Sequence, residues 1–147
     1  MRVERVDPVV TRPLRNAVLR PGMDVDAVHW PDIESPDAVT YAVVGDDGAP
    51  LTTVTVIPAP CPWRPDDRPA WQLRGMATAD EARGRGVGRL ALDAAVDHVR
   101  ATGAALLWCN ARDVALSFYA RAGFVVEGEG FVNATGIPHH PMALPLR

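Results

Sequence analysis

The sequence predicts a single α/β domain over residues 1–147, in which a mixed β-sheet carries helices on its faces. Three observations favour this layered α/β (α+β) class. Strand-like and helix-like patterns alternate along the chain, an apolar run without alternation lies between two amphipathic helical patterns, and 147 residues suffice for one hydrophobic core. The predicted order is strand, helical region, three strands, helix, strand, helix and two strands.

The amino-terminal third begins with a short predicted strand at 2–6, where apolar and polar residues alternate. A helix is expected over 11–19, with Thr11 as its N-cap and Leu14, Ala17 and Val18 on its buried face. Residues 21–38 are rich in proline and aspartate, which predicts a loop with at most a short helix.

Three strands are predicted next. Residues 39–44 and 51–57 are rich in β-branched residues and flank the turn sequence GDDGAP, which is typical of a hairpin. Residues 58–69 contain five prolines and are expected to form an exposed connection. Residues 71–78 form the third strand candidate.

The carboxy-terminal half contains the clearest helix, at about 88–102, because apolar residues recur there at helical spacing and a glycine follows. The apolar run 104–109 predicts a strand buried on both faces. A second helix is expected around residues 115–122, ending at Gly123. Residues 124–127 and 141–146 are the closing strands, although two prolines in the last one remove backbone donors.

Bulk composition excludes several classes of protein. The formal net charge of −3 argues against a general nucleic-acid-binding protein. The amino terminus lacks the apolar centre of a signal peptide, and no apolar run approaches the roughly 20 residues that span a bilayer. The sequence therefore predicts a cytoplasmic protein with neither nucleic acid nor membrane as partner, and it leaves a homodimer open. Cys61 and Cys109 lack the spacing of a disulfide framework or a zinc site, so no metal is expected.

The segment EARGRGVGRL, residues 81–90, carries the main functional prediction. Its three glycines alternate with arginines between a predicted strand and a predicted helix. Backbone N–H groups at a helix start have no intrahelical acceptor, and glycine lets a ligand approach them, so this pattern favours a phosphate group. A Walker loop is excluded because no Gly-Lys-Ser/Thr follows, and a dinucleotide site because Arg89 replaces the third glycine of the fingerprint.

The segment R-x-x-G-x-G, residues 83–88, resembles the GNAT superfamily of acetyl-CoA-dependent N-acetyltransferases. MATADEARGRGVGRLAL is similar to that family's strand, pyrophosphate loop and helix, and ARDVALSFYARAGFVV to its second helix. The resemblance covers residues 39–146 well and 1–38 loosely. It implies a mostly antiparallel sheet with splayed central parallel strands, and transfer of an acetyl group from acetyl-CoA to a primary amine by direct attack.

The resemblance also implies roles for individual residues. Backbone amides around Val87 would hold the pyrophosphate, Met76 and Thr78 would pair with the pantetheine arm, and Tyr119 would be the general acid facing the sulfur. The residues expected to contact acetyl-CoA are Met76, Ala77, Thr78, Arg83, Gly84, Arg85, Gly86, Val87, Gly88, Arg89, Asn110 and Arg112.

Two positions depart from the family pattern. Arg112 stands where members often carry an asparagine seven residues before the tyrosine, and the nearest asparagine is Asn110. Gln72 stands where members often carry a glutamate base, and an amide cannot accept the proton. Histidine titrates in the required pH range, so His139, or its neighbour His140, is the expected catalytic base, ahead of two glutamates, Glu127 and Glu129.

The acceptor is expected to be a small-molecule or peptide amine. The segments 21–38 and 58–69 are expected to border its pocket, and their aspartates would suit a cationic amine. Two other functions remain open at this point: a non-catalytic acyl-CoA-binding sensor of the same fold, and an interaction protein in which the glycine run is only a turn.

Overall fold

The structure is a computed structural model that describes residues 1–23 and 29–147. Eight strands form one mixed sheet in the order β1-β2-β3-β4-β5-β8-β6, and β7 also pairs with β8. The pair β4–β5 is parallel and the other pairs are antiparallel. The strands are β1 (Arg2–Val6), β2 (Val39–Val44), β3 (Pro50–Pro58), β4 (Ala70–Thr78), β5 (Leu106–Arg112), β6 (Val125–Val126), β7 (Phe131–Val132) and β8 (Pro138–Pro145).

Within the described residues three α-helices accompany the sheet: α1 (Arg12–Leu19), α2 (Val87–Ala101) and α3 (Leu116–Arg121). Short 3-10 helices lie before each of them, at Pro8–Thr11, Asp80–Ala82 and Asp113–Ala115. The mixed sheet flanked by helices confirms the predicted fold class. No helix in the described part of the chain is long and apolar enough to cross a membrane.

The first helix confirms its predicted span to within one residue, but its capping and its buried face differ from the prediction. Thr11 occupies the N-cap position, yet its side chain caps no backbone N–H, because its hydroxyl donates to the Pro8 carbonyl at 3.1 Å. The buried residues of α1 are Arg15 and Asn16, whereas Ala17 is exposed. The apolar pattern of the sequence does not predict this buried face, because its residues are polar. They pack against Trp30 and Glu34. Residues 24–28 of the predicted 21–38 loop lie outside the described residues.

The helix α2 and the central strand β5 confirm their predictions. Apolar side chains of α2 are buried in the main core together with residues of β2, β3 and β5. Gly103 follows the helix with φ +83°, a left-handed conformation that favours glycine. Leu106–Cys109 are all buried, although the strand begins two residues later than predicted and extends to Arg112. The carboxy-terminal end of β5 therefore extends beyond the core and bears polar residues.

The carboxy-terminal strands were predicted less well. Of residues 124–127 only Val125–Val126 pair, the short β7 was not predicted, and β8 begins at Pro138 instead of Pro141. The strand tolerates its prolines because their carbonyl groups still accept. The Pro141 oxygen, for example, accepts a hydrogen bond of 2.9 Å from the Glu127 amide.

The parallel strands β4 and β5 separate after a short contact. They pair only from Ala70–Gln72 against Leu106–Trp108. Beyond this point β4 bulges: Thr53 and Thr55 of β3 face Ala77 and Arg74, so β4 has one extra residue between these positions. Gly75 lies in the bulge with φ +64°. The predicted splay is thus confirmed, and it opens a gap in the middle of the sheet.

Candidate active site

The glycine-rich loop joins β4 to α2. Gly84 and Gly86 have φ of +75° and +77°, and Gly86 directly precedes the first residue of α2. The first intrahelical bond runs from the Leu90 amide to the Gly86 carbonyl at 3.3 Å. The amides of residues 87–89 consequently have no acceptor within the helix. A Cβ added at Gly84 or Gly86 would meet no atom within 4 Å, so the backbone faces open space.

A groove of about 440 Å³ lies beside this loop. The arginines of the loop are exposed. Arg83 lies 3.3 Å from Asp80, and Arg89 pairs with Asp93 at 2.8 Å, while Arg85 is exposed but does not line the groove. The groove is lined by Thr78, Ala82, Arg83, Gly84, Gly86, Val87, Gly88, Arg89, Phe118 and Arg121. Open amides, a helix start and exposed positive charge together fit a pyrophosphate group.

A second cavity, of about 350 Å³, occupies the gap between β4 and β5. Phe118 lines both this cavity and the groove, so the two adjoin. Tyr119 from α3 and His139 from β8 line the cavity together. Other predicted site residues on its wall are Met76, Asn110 and Arg112, and Gln72, which replaces the family's glutamate, lies there too. Ala77 is instead buried, and its carbonyl accepts from the Thr52 hydroxyl at 2.9 Å.

Tyr119 is held rigidly by aromatic neighbours. Its side chain is 4% exposed, and its ring makes edge contacts with Phe118 and Phe124 at centroid distances of 5.2 and 5.4 Å. Burial raises the pKa of Tyr119 well above its ordinary value; Cys109 adds to this rise and Arg112 opposes it. The hydroxyl therefore stays protonated at neutral pH. It has no hydrogen-bond partner among the described residues, which leaves its proton available to a ligand.

The two histidines have different surroundings. His139 is 9% exposed, stacks on Phe131 at 5.6 Å, and its Nδ1 lies 2.7 Å from the Ile137 carbonyl. Because a carbonyl oxygen only accepts, Nδ1 carries the proton, and Nε2 keeps a lone pair in the neutral ring. His140 does not line the cavity, and its Nδ1 lies 2.6 Å from Asp113 Oδ1. Of this pair, only His139 is placed for acid–base chemistry in the cavity.

Glu127, which the sequence analysis named as a weaker candidate base, does not line the cavity. It accepts a hydrogen bond of 3.0 Å from Trp63 Nε1 and pairs with Arg64. These partners hold it against the connection 58–69, where it has a structural role. Glu129 is exposed and does not line the cavity either.

The prediction that 58–69 borders the acceptor pocket is wrong. The Ala59 amide donates to the Ala70 carbonyl at 3.0 Å, and Trp63 packs on Trp108 at 5.3 Å. This places the segment beside the paired beginnings of β4 and β5, away from the gap. The connection is also less exposed than predicted, because Cys61 is buried. Both cysteines are free.

Several cavity residues were missed at the sequence level. Leu19, Arg20 and Trp30 come from α1 and the loop after it, and Arg74, Phe131 and Asn133 come from β4 and the carboxy-terminal strands. No motif marks them, since each is placed by a contact between distant parts of the chain. Among the described residues no group of three or more His, Cys, Asp or Glu side chains could hold a metal ion.

A splayed mixed sheet with a glycine-rich anion site beside the gap defines an acyl-CoA N-acyltransferase fold. The chain belongs to the Acetyltransferase (GNAT) family, which it matches over residues 7–124. It is therefore an acyltransferase whose acyl donor is acetyl-CoA. It is similar to the Uncharacterized N-acetyltransferase YitI of Bacillus subtilis (strain 168), with 26% identity over 95% of this chain and 92% of the relative.

Two solved structures share the fold at low sequence identity. An aminoglycoside 6'-N-acetyltransferase complexed with coenzyme A matches with a TM-score of 0.79 and 15% identity, covering 100% of this chain and 98% of that one. The NatC complex bound to Gag peptide and CoA matches with a TM-score of 0.75 and 15% identity, covering 100% of both chains. At this identity the likeness establishes the architecture alone.

Proposed function

We propose that this protein transfers an acetyl group to a primary amine by direct attack, with Tyr119 as general acid and His139 as general base. The observation that carries the proposal is that Tyr119 and His139, from α3 and β8, line one cavity at the gap between β4 and β5. A protonated hydroxyl and an imidazole with a free Nε2 in one cavity supply both proton transfers that acyl transfer to an amine requires.

The donor side of the proposal uses the glycine-rich loop. The amides of Val87, Gly88 and Arg89 would hold the pyrophosphate, with Arg83 and Arg85 adding long-range attraction. Gly84 and Gly86 keep the approach open, because no side chain covers the backbone there. Met76 and Thr78, and Asn110 across the gap, would flank the pantetheine arm on its way into the cavity.

When bound, acetyl-CoA supplies an activated thioester. Gly75 and Met76 fall in the bulge and have no register partner on β3. The Met76 amide, at this irregular point of the strand, would donate to the thioester oxygen. His139 Nε2 takes a proton from the acceptor nitrogen as the new N–C bond forms. Tyr119 gives its proton to the sulfur as the C–S bond breaks. Arg112, near Tyr119, would stabilise the phenolate until water reprotonates it.

The acceptor is proposed to be a small-molecule or peptide amine. The two structural neighbours are named for an aminoglycoside acetyltransferase and for a complex with a peptide, so the fold accommodates both kinds. Three statements remain predictions from the sequence: a cytoplasmic location, a single domain over 1–147, and a possible homodimer.

The test is turnover of acetyl-CoA, followed by thiol release, against a panel of amines, amino acids and peptides. Thiol release that depends on an added amine, with the acetylated amine found by mass spectrometry, is the expected result. The variant Gly86→Val should abolish this amine-dependent thiol release, because it blocks the acetyl-CoA site. Tight acetyl-CoA binding with no transfer to any amine would instead favour the non-catalytic acyl-CoA sensor.

A further inference from the structure

Two arginines converge on one oxygen atom at the cavity wall. Arg20 Nη1 and Arg112 Nη2 donate to the Leu19 carbonyl at 2.8 and 2.9 Å, respectively. Both arginines and Leu19 line the cavity between β4 and β5. The two guanidinium groups are therefore close neighbours, although their residues lie on α1's end and on β5. Burial and, next, repulsion from Arg20 lower the pKa of Arg112.

Among the described residues no carboxylate pairs with either arginine. Neither Arg20 nor Arg112 forms an ion pair in the described part of the chain, and none of the described residues on the cavity wall is an aspartate or glutamate. Arg74 is the third arginine on the wall, and it is paired with Asp32. Like charges held this close without a counter-ion are unfavourable unless a ligand supplies one.

The pair is also held in place for binding. The Arg20 guanidinium stacks over the Trp30 ring at 4.7 Å, and Arg112 is partly buried beside Tyr119. An arginine has five N–H donors, and the Leu19 carbonyl occupies one donor atom of each side chain. The remaining donors form a preorganised fork, the geometry that binds a carboxylate or phosphate.

We infer that Arg20 and Arg112 bind an anionic group on the acceptor, so that the enzyme acetylates small anionic amines, of which a free amino acid is the simplest. The inference rests on the proposed function, since it names the substrate class of that site. It assigns Arg112 to the acceptor instead of to acetyl-CoA. It also departs from the cationic amine suggested by the aspartates of 21–38 and 58–69, because 58–69 lies elsewhere and Asp32 of 21–38 is paired with Arg74.

The amine of such an acceptor would lie near the reacting groups. Arg112 interacts electrostatically with Tyr119, and in the sheet Arg112 stands opposite His139. An anion on the arginine pair therefore places a nearby amine between the base and the acid. A polycation would instead meet three arginines on the described wall of the cavity.

The experiment compares matched acceptors that differ only in charge. The wild type is assayed with a pool of amino acids, with the same amino acids as carboxamides, and with phosphoethanolamine against ethanolamine. We expect kcat/KM to be about 10- to 100-fold higher for the anionic members, the loss typical of removing a hydrogen-bonded ionic partner. The two pairs distinguish a carboxylate from a phosphate.

Arg20→Gln should reduce this ratio towards one, while thiol release with neutral amines persists. Arg112→Gln should also reduce the ratio, on top of a lower rate with every acceptor, because Arg112 also faces Tyr119. Arg100→Gln, on the far end of α2, is the control and should keep the ratio. Equal use of acids and amides by the wild type, or an unchanged ratio in both variants, overturns the inference. If no amine is acetylated, the proposed function fails, and calorimetry of the same pools with the CoA-saturated protein decides the inference: preferential binding of the anionic pool supports it, and equal binding refutes it.

Discussion

Gly88, in the first turn of α2, lies against Phe118 of α3: a Cβ on Gly88 would come 3.4 Å from Phe118 Cε1. This contact joins the phosphate-binding loop to the helix that holds Tyr119. Because Phe118 lines both the groove and the cavity, the distance from the anion site to the Tyr119 hydroxyl is set by packing.

Replacing Gly86 with valine should abolish acetyl-CoA binding. A branched side chain would fill the open space over the loop, and φ +77° is strained for any residue with a Cβ. In the wild type, acetyl-CoA at about 100 times its Kd should stabilise the fold by roughly 2.7 kcal/mol, measured as a rise in Tm. The variant should show no such rise.

Gly48→Val is the matched control for this experiment. Gly48 has φ +80° and a Cβ there would also meet no atom within 4 Å, but it lies in the β2–β3 hairpin turn. It should share the backbone strain and keep the ligand-induced rise in Tm. Normal acetyl-CoA binding by Gly86→Val would place the pyrophosphate elsewhere.

Tyr119→Phe should lower kcat by about 10², with little change in the Kd for acetyl-CoA. A thiolate is a fairly good leaving group, because thiol pKa values are about 8.5, so assistance by an acid lies in the lower part of the usual range. The ring contacts with Phe118 and Phe124 survive this change, so the fold should be retained. Single-turnover kinetics and calorimetry measure the two effects separately.

Tyr41→Phe serves as the control for the loss of a tyrosine hydroxyl, since Tyr41 contacts His98 at 3.3 Å away from the cavity. It should leave kcat unchanged. A wild-type rate for Tyr119→Phe would mean that water protonates the sulfur, and an equal loss of binding and rate would make Tyr119 a packing residue.

His139→Gln should lower kcat/KM at neutral pH by about 10² or more, because an amide cannot take the proton from the acceptor nitrogen. Steady-state kinetics with the acceptor found in the amine panel measure this.

His140→Gln is the neighbouring control, because His140 is bonded to Asp113 outside the cavity. Its kcat/KM should match the wild type. If His139→Gln also runs at the wild-type rate, a chain of waters accounts for deprotonation.

Glu34→Gln should destabilise the protein at neutral pH by about 1–3 kcal/mol. Arg12 Nε and Nη2 donate to the two Glu34 oxygens at 2.6 and 2.8 Å, and fully buried Arg15 lies 3.5 Å away. The hydrogen bonds from Arg12 lower the pKa of Glu34. The pair therefore stabilises the fold above the ordinary glutamate pKa, and this stability is lost as the pH falls below it.

Urea unfolding of wild type and Glu34→Gln at several pH values between 3 and 7 measures this difference. The gap in free energy of unfolding should shrink as the pH falls. Glu4→Gln, which breaks the exposed pair with Arg2, is the control and should cost under about 1 kcal/mol. A gap that stays constant down to pH 3 would contradict the role of Glu34 ionisation.

The sequence by itself determined the elements whose signals are local. The glycines of 84–88, the helical period of α2 and the unbroken apolar run of β5 each follow from backbone freedom or burial along a short segment. The aromatic pattern around Tyr119 and the likeness to the GNAT family gave the donor and the fold class in the same way. Each of these signals lies within a short segment, so it can be interpreted without knowing how the rest of the chain folds.

Only the tertiary structure decided what lines the acceptor cavity. Leu19 and Arg112 are 93 residues apart, yet they share a hydrogen bond. Glu127 is not a candidate base in the structure, because it is paired with Arg64. The buried polar face of α1 was likewise invisible to an apolar pattern. The physical reason is that periodicity records which side of an element is buried, whereas the partner of a charge is set by which distant strands and helices pack beside it.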